Sequence, residues 1–188
     1  AIQGDVYSIP LAQFQKSVAA LSPQGTAQQR ALDLVKAWDG KLTLDNAGGT
    51  IVEATYARLI RNMFTDKIPD KDVLNSYLGA NDTHRRVVLA LLDQPKSEWW
   101  GSAGRDALLQ KSFAEAVDSL GQQFGDAPAD WKWSRLHTAT FNHPLGSVQP
   151  LNLLFNAGPI PAPGGVNTVF NTSFRFASPP RLLRVIWP

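Results

Sequence analysis

Apolar residues recur along the first two-thirds of the chain at the three-and-four spacing of amphipathic helices; in the last third they gather into short runs cut by proline and glycine. Leu11, Phe14, Val18 and Leu21 fall on one stripe of a helix that begins near Pro10, and Pro23 and Gly25 stop it. Thr26 followed by Gln29 has the form of a capping box, in which hydroxyl and amide each satisfy a backbone donor of the first turn. Ala31, Leu34, Val35 and Trp38 supply the buried face, and Gly40 suits a left-handed position at the helix end, so a two-helix hairpin is predicted. The capping pattern returns at Thr50-Ile51-Val52-Glu53, ahead of Tyr56, Leu59, Ile60, Met63 and Phe64 at helical spacing. Further helices are predicted over 69–78, 82–92 and 105–124; in the last, Phe113, Ala116, Val117, Leu120 and Phe124 face one way.

Strands are predicted at Thr138–Phe141, 166–176 and 182–187, joined by ordered loops such as the proline and glycine cluster 159–165. Charge divides the chain at the same place: all 16 carboxylates lie at or before Asp130, and most prolines lie beyond it. The expected fold class is therefore α+β, with a helical region over 1–130 and a strand-and-loop region over 131–188. So short an acid-free tail cannot build a second core, and it is expected to complete a sheet whose other strands lie elsewhere, within one domain that is incomplete on its own.

An apolar fraction of 44% with 18% charged residues fits a packed core rather than a disordered chain. The net charge of +2 comes without basic runs longer than pairs such as Arg85-Arg86, so nucleic acid is not an expected partner. No apolar run approaches the ~18 residues of a membrane span, so none is expected. The lack of cysteine excludes disulfides, thiolate nucleophiles and Cys-based metal sites within the sequence. The start, Ala1 to Asp5, has neither an initiator Met nor a signal-peptide layout and reads as a product of processing.

Candidate chemistry is sparse. The histidines are His84, His137 and His143, and no pairing at helical ligand spacing exists among them; a His137/His143 pair would lack a carboxylate to join it. No metal is expected in this chain, and a hydrogen-bonded structural role fits each histidine better. Asp70 and Asp72 fall in a first helical turn, where they complement the helix dipole. There is no Gly-x-Ser-x-Gly elbow, no dinucleotide fingerprint and no P-loop, and Gly164-Gly165 reads as a loop-to-strand junction. Trp131-Lys132-Trp133, leading to His137, stands either for the wall of an apolar acyl or aryl pocket or for core anchors at the helix-to-strand transition.

Five motifs in order, Gln3-Gly4-Asp5-Val6-Tyr7-Ser8, Leu34-Val35-Lys36-Ala37-Trp38-Asp39-Gly40, Trp131-Lys132-Trp133-Ser134-Arg135-Leu136-His137, Phe141-Asn142-His143-Pro144-Leu145-Gly146 and Pro163-Gly164-Gly165-Val166-Asn167-Thr168-Val169, resemble the later part of the large β subunit of the penicillin amidase family. None is specific alone, but together they cover nearly the whole chain. The layout is similar to the branch that includes acyl-homoserine-lactone acylases.

The resemblance implies a four-layer αββα sandwich of the N-terminal-nucleophile hydrolases, made by export and self-cleavage of a precursor. In that family the Ser at the new N-terminus of the β subunit attacks an amide, its own α-amino group serving as base. Backbone and Asn donors hold the oxyanion. Position 1 here is Ala, and the family's Ser, oxyanion Asn and nearby Arg lie upstream of the first motif, so no catalytic residue is carried over. The chain then reads as an internal piece whose partners are the rest of the β subunit and the α subunit. The expected substrate is a small N-acyl amide and the expected place is the periplasm or the exterior. No cofactor is implied; the structural calcium of some members would be held by residues outside this chain. Trp131, Trp133, His137, Phe141 and His143 are the candidates to line or support a substrate pocket. Set against this is a non-catalytic structural or binding module with the same fold.

Overall fold

The computed structural model describes residues 2–79, 83–141 and 143–170, together with the short strand Arg184–Val185. Helices α1 (Ile9–Ala19), α2 (Thr26–Ala37), α3 (Gly48–Phe64), α4 (Lys71–Gly79), α5 (Thr83–Leu92) and α6 (Arg105–Phe124) come first. Helix α3 is the hub: it runs along α6 and also meets α1, α2 and α4. Its position explains its composition, because Ile51, Val52, Tyr56, Leu59, Ile60, Met63 and Phe64 are all buried and few of its faces see water. From α6, Leu109, Phe113, Val117 and Leu120 close the same core. At the rim, Asn62 Nδ2 donates to Ser112 Oγ at 3.1 Å and Glu115 Oε2 at 3.0 Å, fixing the register of the two helices.

The close start of α3 against α2 needs glycine. A Cβ on Gly48 would stand 2.6 Å from the Leu34 carbonyl oxygen, and one on Gly49 would stand 2.7 Å from a Leu42 methyl. The capping expectations are corrected here. Thr26 is already helical behind a Gly25 at φ 92°, with no side-chain cap bond, so no capping box forms at α2. At α3, Asn46 Oδ1 accepts from the Gly49 N–H at 2.7 Å. Thr50 lies inside the first turn, its hydroxyl on the Asn46 carbonyl at 3.2 Å, and Glu53 turns inward instead of capping. Asp70, by contrast, accepts from the Asp72 and Val73 N–H groups at 2.9 and 3.0 Å at the start of α4.

Beyond α6 a short helix α7 (Trp133–Leu136) leads into strand β1 (Thr138–Phe141). Strand β2 (Ala157–Pro161) lies antiparallel to β1, pairing Thr138 with Pro161 and Ala139 with Ile160, with a bulge before Phe141 opposite Ala157. Strand β3 (Arg184–Val185) lies parallel on the other side, giving the order β2-β1-β3. Between β1 and β2 the chain makes a 3-10 turn at Pro144–Ser147 and a one-turn helix α8 (Asn152–Phe155).

Two strand expectations need correction. The segment 157–161 is a strand although Pro159 and Pro161 argued for a loop; an edge strand tolerates residues without an N–H. Residues 166–170 form a turn and bend rather than a strand, so Gly164-Gly165 is not a strand junction; 171–176 lie outside the described residues. Of the expected strand 182–187, only 184–185 are described.

Candidate functional site

Four of the five motifs picked out in the sequence converge on the segment 38–46. The N-terminal strip lies against it, with Ser8 N–H donating to the Gly40 carbonyl at 2.9 Å and Leu42 N–H to the Val6 carbonyl at 3.0 Å. Gly40 holds φ +85°, and a Cβ there would come within 2.3 Å of the Tyr7 ring, so glycine is required twice over. From the other side, Trp133 N–H donates to the Asn46 carbonyl at 2.9 Å and Ser134 N–H to the Leu44 carbonyl at 2.8 Å. The 163–170 loop joins with Gly164 N–H on the Leu42 carbonyl at 2.8 Å and Phe170 N–H on the Asp5 carbonyl at 2.8 Å. Thr168 closes that loop, accepting from the Gly165 N–H at 2.9 Å and donating to the Phe170 carbonyl at 2.6 Å.

The aromatic residues divide. Trp131, Trp133 and His137 are fully buried. Trp131 Nε1–H donates to the Gly125 carbonyl at 2.7 Å and Trp133 Nε1–H to the Gly164 carbonyl at 3.0 Å. His137 stacks on Trp133 with centroids 4.9 Å apart. Its Nδ1 lies 2.7 Å from the Ala162 carbonyl, which only accepts, so Nδ1 carries the proton. Trp133 and His137 clamp α7 and β1 to the loop after β2, while Trp131 is fixed to the end of α6; all three are buried as core. Phe141 and His143 lie apart from them, exposed at the start of the β1–β2 connection. There His143 N–H donates to Asn156 Oδ1 at 3.0 Å, its Nδ1 accepts from Leu145 N–H at 3.2 Å, and its ring stacks on Phe155.

A polar cluster between α3 and α5 was not anticipated. Arg85, on α5, forms a bidentate ion pair with Glu53, on α3, through Nη1 to Oε2 at 3.1 Å and Nη2 to Oε1. Both side chains are buried, and the guanidinium carbon sits 4.5 Å over the Tyr56 ring. Tyr56 Oη shares a hydrogen bond of 3.0 Å with His84 Nδ1. Burial pushes the Tyr56 phenol far above its ordinary 10.0; Arg85 opposes that rise and Glu53 adds to it. The phenol is therefore held neutral. Beside the pair, a shallow groove of about 340 Å³ is lined by Pro10, Arg85, Arg86, Leu89 and Asn167.

The sequence carried a signal for this cluster. Glu53 lies at i, i+3, i+7 and i+10 with Tyr56, Ile60 and Met63, and Arg85 at i, i+3 and i+7 with Val88 and Leu92. Each charge thus occupies a core position of its own helix, which is tolerated only when the two charges meet. Among the described residues no group of three or more His, Asp or Glu side chains is placed to hold a metal ion. No helix among them is long and apolar enough to cross a membrane.

The penicillin amidase family profile matches residues 1–187. A protein of Pseudomonas aeruginosa named acyl-homoserine lactone acylase QuiP is 25% identical over 80% of this chain and 20% of its own length. Proteins of the same name in two strains of Pseudomonas fluorescens are 24% and 26% identical over 87% and 85% of this chain. The chain thus spans about a fifth of the length of these curated relatives.

Proposed function

Because this chain belongs to the penicillin amidase family, we propose that it is a supporting segment of an acylase that cleaves the amide between an acyl chain and a small amine. Attack on the amide carbon by a nucleophile outside this chain, an N-terminal Ser, gives an acyl ester and frees the amine. Water then releases the carboxylic acid and restores the nucleophile. The observation that carries the reading is the family match across residues 1–187, together with relatives that bear an acyl-homoserine lactone acylase name. N-acyl homoserine lactones and penicillin side-chain amides are therefore the substrate classes to try first. The partners are the rest of the β subunit and the α subunit of one precursor, within an αββα sandwich in the periplasm or outside the cell.

Within that enzyme the chain's own residues hold the sheet in place. The buried Trp133–His137 stack, fixed to the Gly164 and Ala162 carbonyls, holds β1 against the helical body, so the sheet built around β1 is positioned by α7. This favours a supporting role for Trp131, Trp133 and His137 over a place in the pocket wall. The test is release of free amine from a panel of aliphatic and phenylacetyl N-acyl substrates by the purified full-length enzyme. Release of amine from at least one is expected; silence across the whole panel would leave the non-catalytic module as the better account.

A further inference from the structure

Residues 136–174 contain no Asp, Glu, Lys or Arg. Within that stretch the β1–β2 connection is folded tightly on itself. His143 is tied to Asn156 and Leu145, and the α8 turn is closed by Asn152 N–H to the Val148 carbonyl at 3.1 Å and Phe155 N–H to the Leu151 carbonyl at 3.0 Å. Yet its large apolar side chains point outward. Leu153 and Leu154 are 82% and 79% exposed, and Leu145, Val148 and Ile160 are also exposed. A pre-ordered apolar, uncharged surface of this kind marks an interface rather than a solvated loop.

We propose that this hairpin, with Leu153 and Leu154 exposed on its α8 turn, docks into an apolar, uncharged surface on the remainder of the enzyme's own polypeptide. Three observations choose that occupant. Roughly four-fifths of the length of the curated relatives lies beyond the part this chain matches, so an enzyme built like those relatives has polypeptide of its own to cover the hairpin. The hairpin carries no cation to meet anionic lipid headgroups, which membrane-surface segments use. Pro159 and Pro161 on the edge strand β2 lack the N–H groups that strand pairing with a second copy would use, so docking is through side chains.

The proposal rests on the chain being a segment of a larger acylase, and its test does not depend on activity. The sequence has no cysteine, so Leu153→Cys and Leu154→Cys are unique labels within it, with Asp126→Cys on an exposed loop as the reference. Each is introduced singly into the full-length enzyme, treated with a maleimide, and the labelled peptides are followed by mass spectrometry. Labelling at 153 and 154 at least ~100-fold slower than at 126, at every enzyme concentration and without lipid, is expected. Labelling as fast as the reference would overturn the proposal. So would protection that appears only as the enzyme dimerises, or only with vesicles of phosphatidylglycerol. Amine release is measured on the same samples: a protected hairpin in an enzyme without acylase activity would sink the functional reading and leave the docking surface standing.

Discussion

Replacing Glu53 by Gln tests whether the α3–α5 ion pair behaves as a buried one. The substitution keeps the shape of the side chain and removes the charge, leaving the Arg85 guanidinium buried with a side-chain exposure of only 7% against the Tyr56 ring. An exposed pair would lose no more than about 1 kcal/mol. Removing one partner of a buried pair costs roughly 3–5 kcal/mol, because the remaining charge has lost its water as well as its counter-ion. At about 1.4 kcal/mol per factor of ten, the midpoint corresponds to roughly a thousandfold increase in local opening. Hydrogen exchange of the α3 and α5 amides in the full-length enzyme reads that opening directly. Amides of Val52 to Tyr56 and of Val88 are expected to exchange about a thousandfold faster in Glu53→Gln. The double variant Glu53→Leu/Arg85→Met, which removes both members of the pair, is expected to return within about tenfold of the parent. If Glu53→Gln speeds exchange by less than about tenfold, the argument from desolvation is wrong for this pair.

Gly40→Ala meets both a left-handed backbone and the Tyr7 ring and is expected to cost about 2–3 kcal/mol. Gly25→Ala, at φ +92° but with open space, is expected to cost only about 1 kcal/mol, both read from urea unfolding. Trp133→Ala opens the core beneath β1 and should lose about 3–5 kcal/mol, whereas Trp133→Phe, which gives up mainly the bond to Gly164, should lose about 1–2 kcal/mol. Equal losses in the two would deny the ring its packing role. Tyr56 sets an alkaline limit. Above pH 10 its phenol ionises in the unfolded chain but not in the folded one, so the unfolded state holds fewer protons and stability falls as pH rises. Urea titrations between about pH 9 and 11 should show that fall, up to ~1.4 kcal/mol per pH unit from this group, and Tyr56→Phe should flatten it. A slope unchanged in Tyr56→Phe would mean the phenol is not desolvated as described.

The helices were legible because each buries one stripe: Leu11, Phe14 and Val18 on α1, and Phe113, Val117 and Leu120 on α6, announce their faces by spacing alone. Their ends were less so. At Thr26 and Thr50 the capping pattern is present, yet glycine geometry and Asn46 take over, because close approach of α2 and α3 decides where the first turn starts. Strand β2 hid behind Pro159 and Pro161, since nothing in a local pattern distinguishes an edge strand from a loop. In the candidate site, Trp131, Trp133 and His137 were found by their density, but spacing could not show which way the rings point. The ion pair of Glu53 with Arg85 was missed because the pattern Thr50 to Glu53 reads as a capping box and Arg85 as half of a basic pair, although both residues sit on apolar stripes.

The meeting of the N-terminal strip, the 38–46 segment, α7 and the 163–170 loop has a practical consequence for damage. A protease acting on the β1–β2 connection would cut a covalent tether, but the C-terminal piece would still be held by the Gly164–Leu42, Phe170–Asp5, Ala162–His137 and Trp133–Gly164 hydrogen bonds. The nicked halves should therefore travel as one particle through gel filtration and separate only in denaturant.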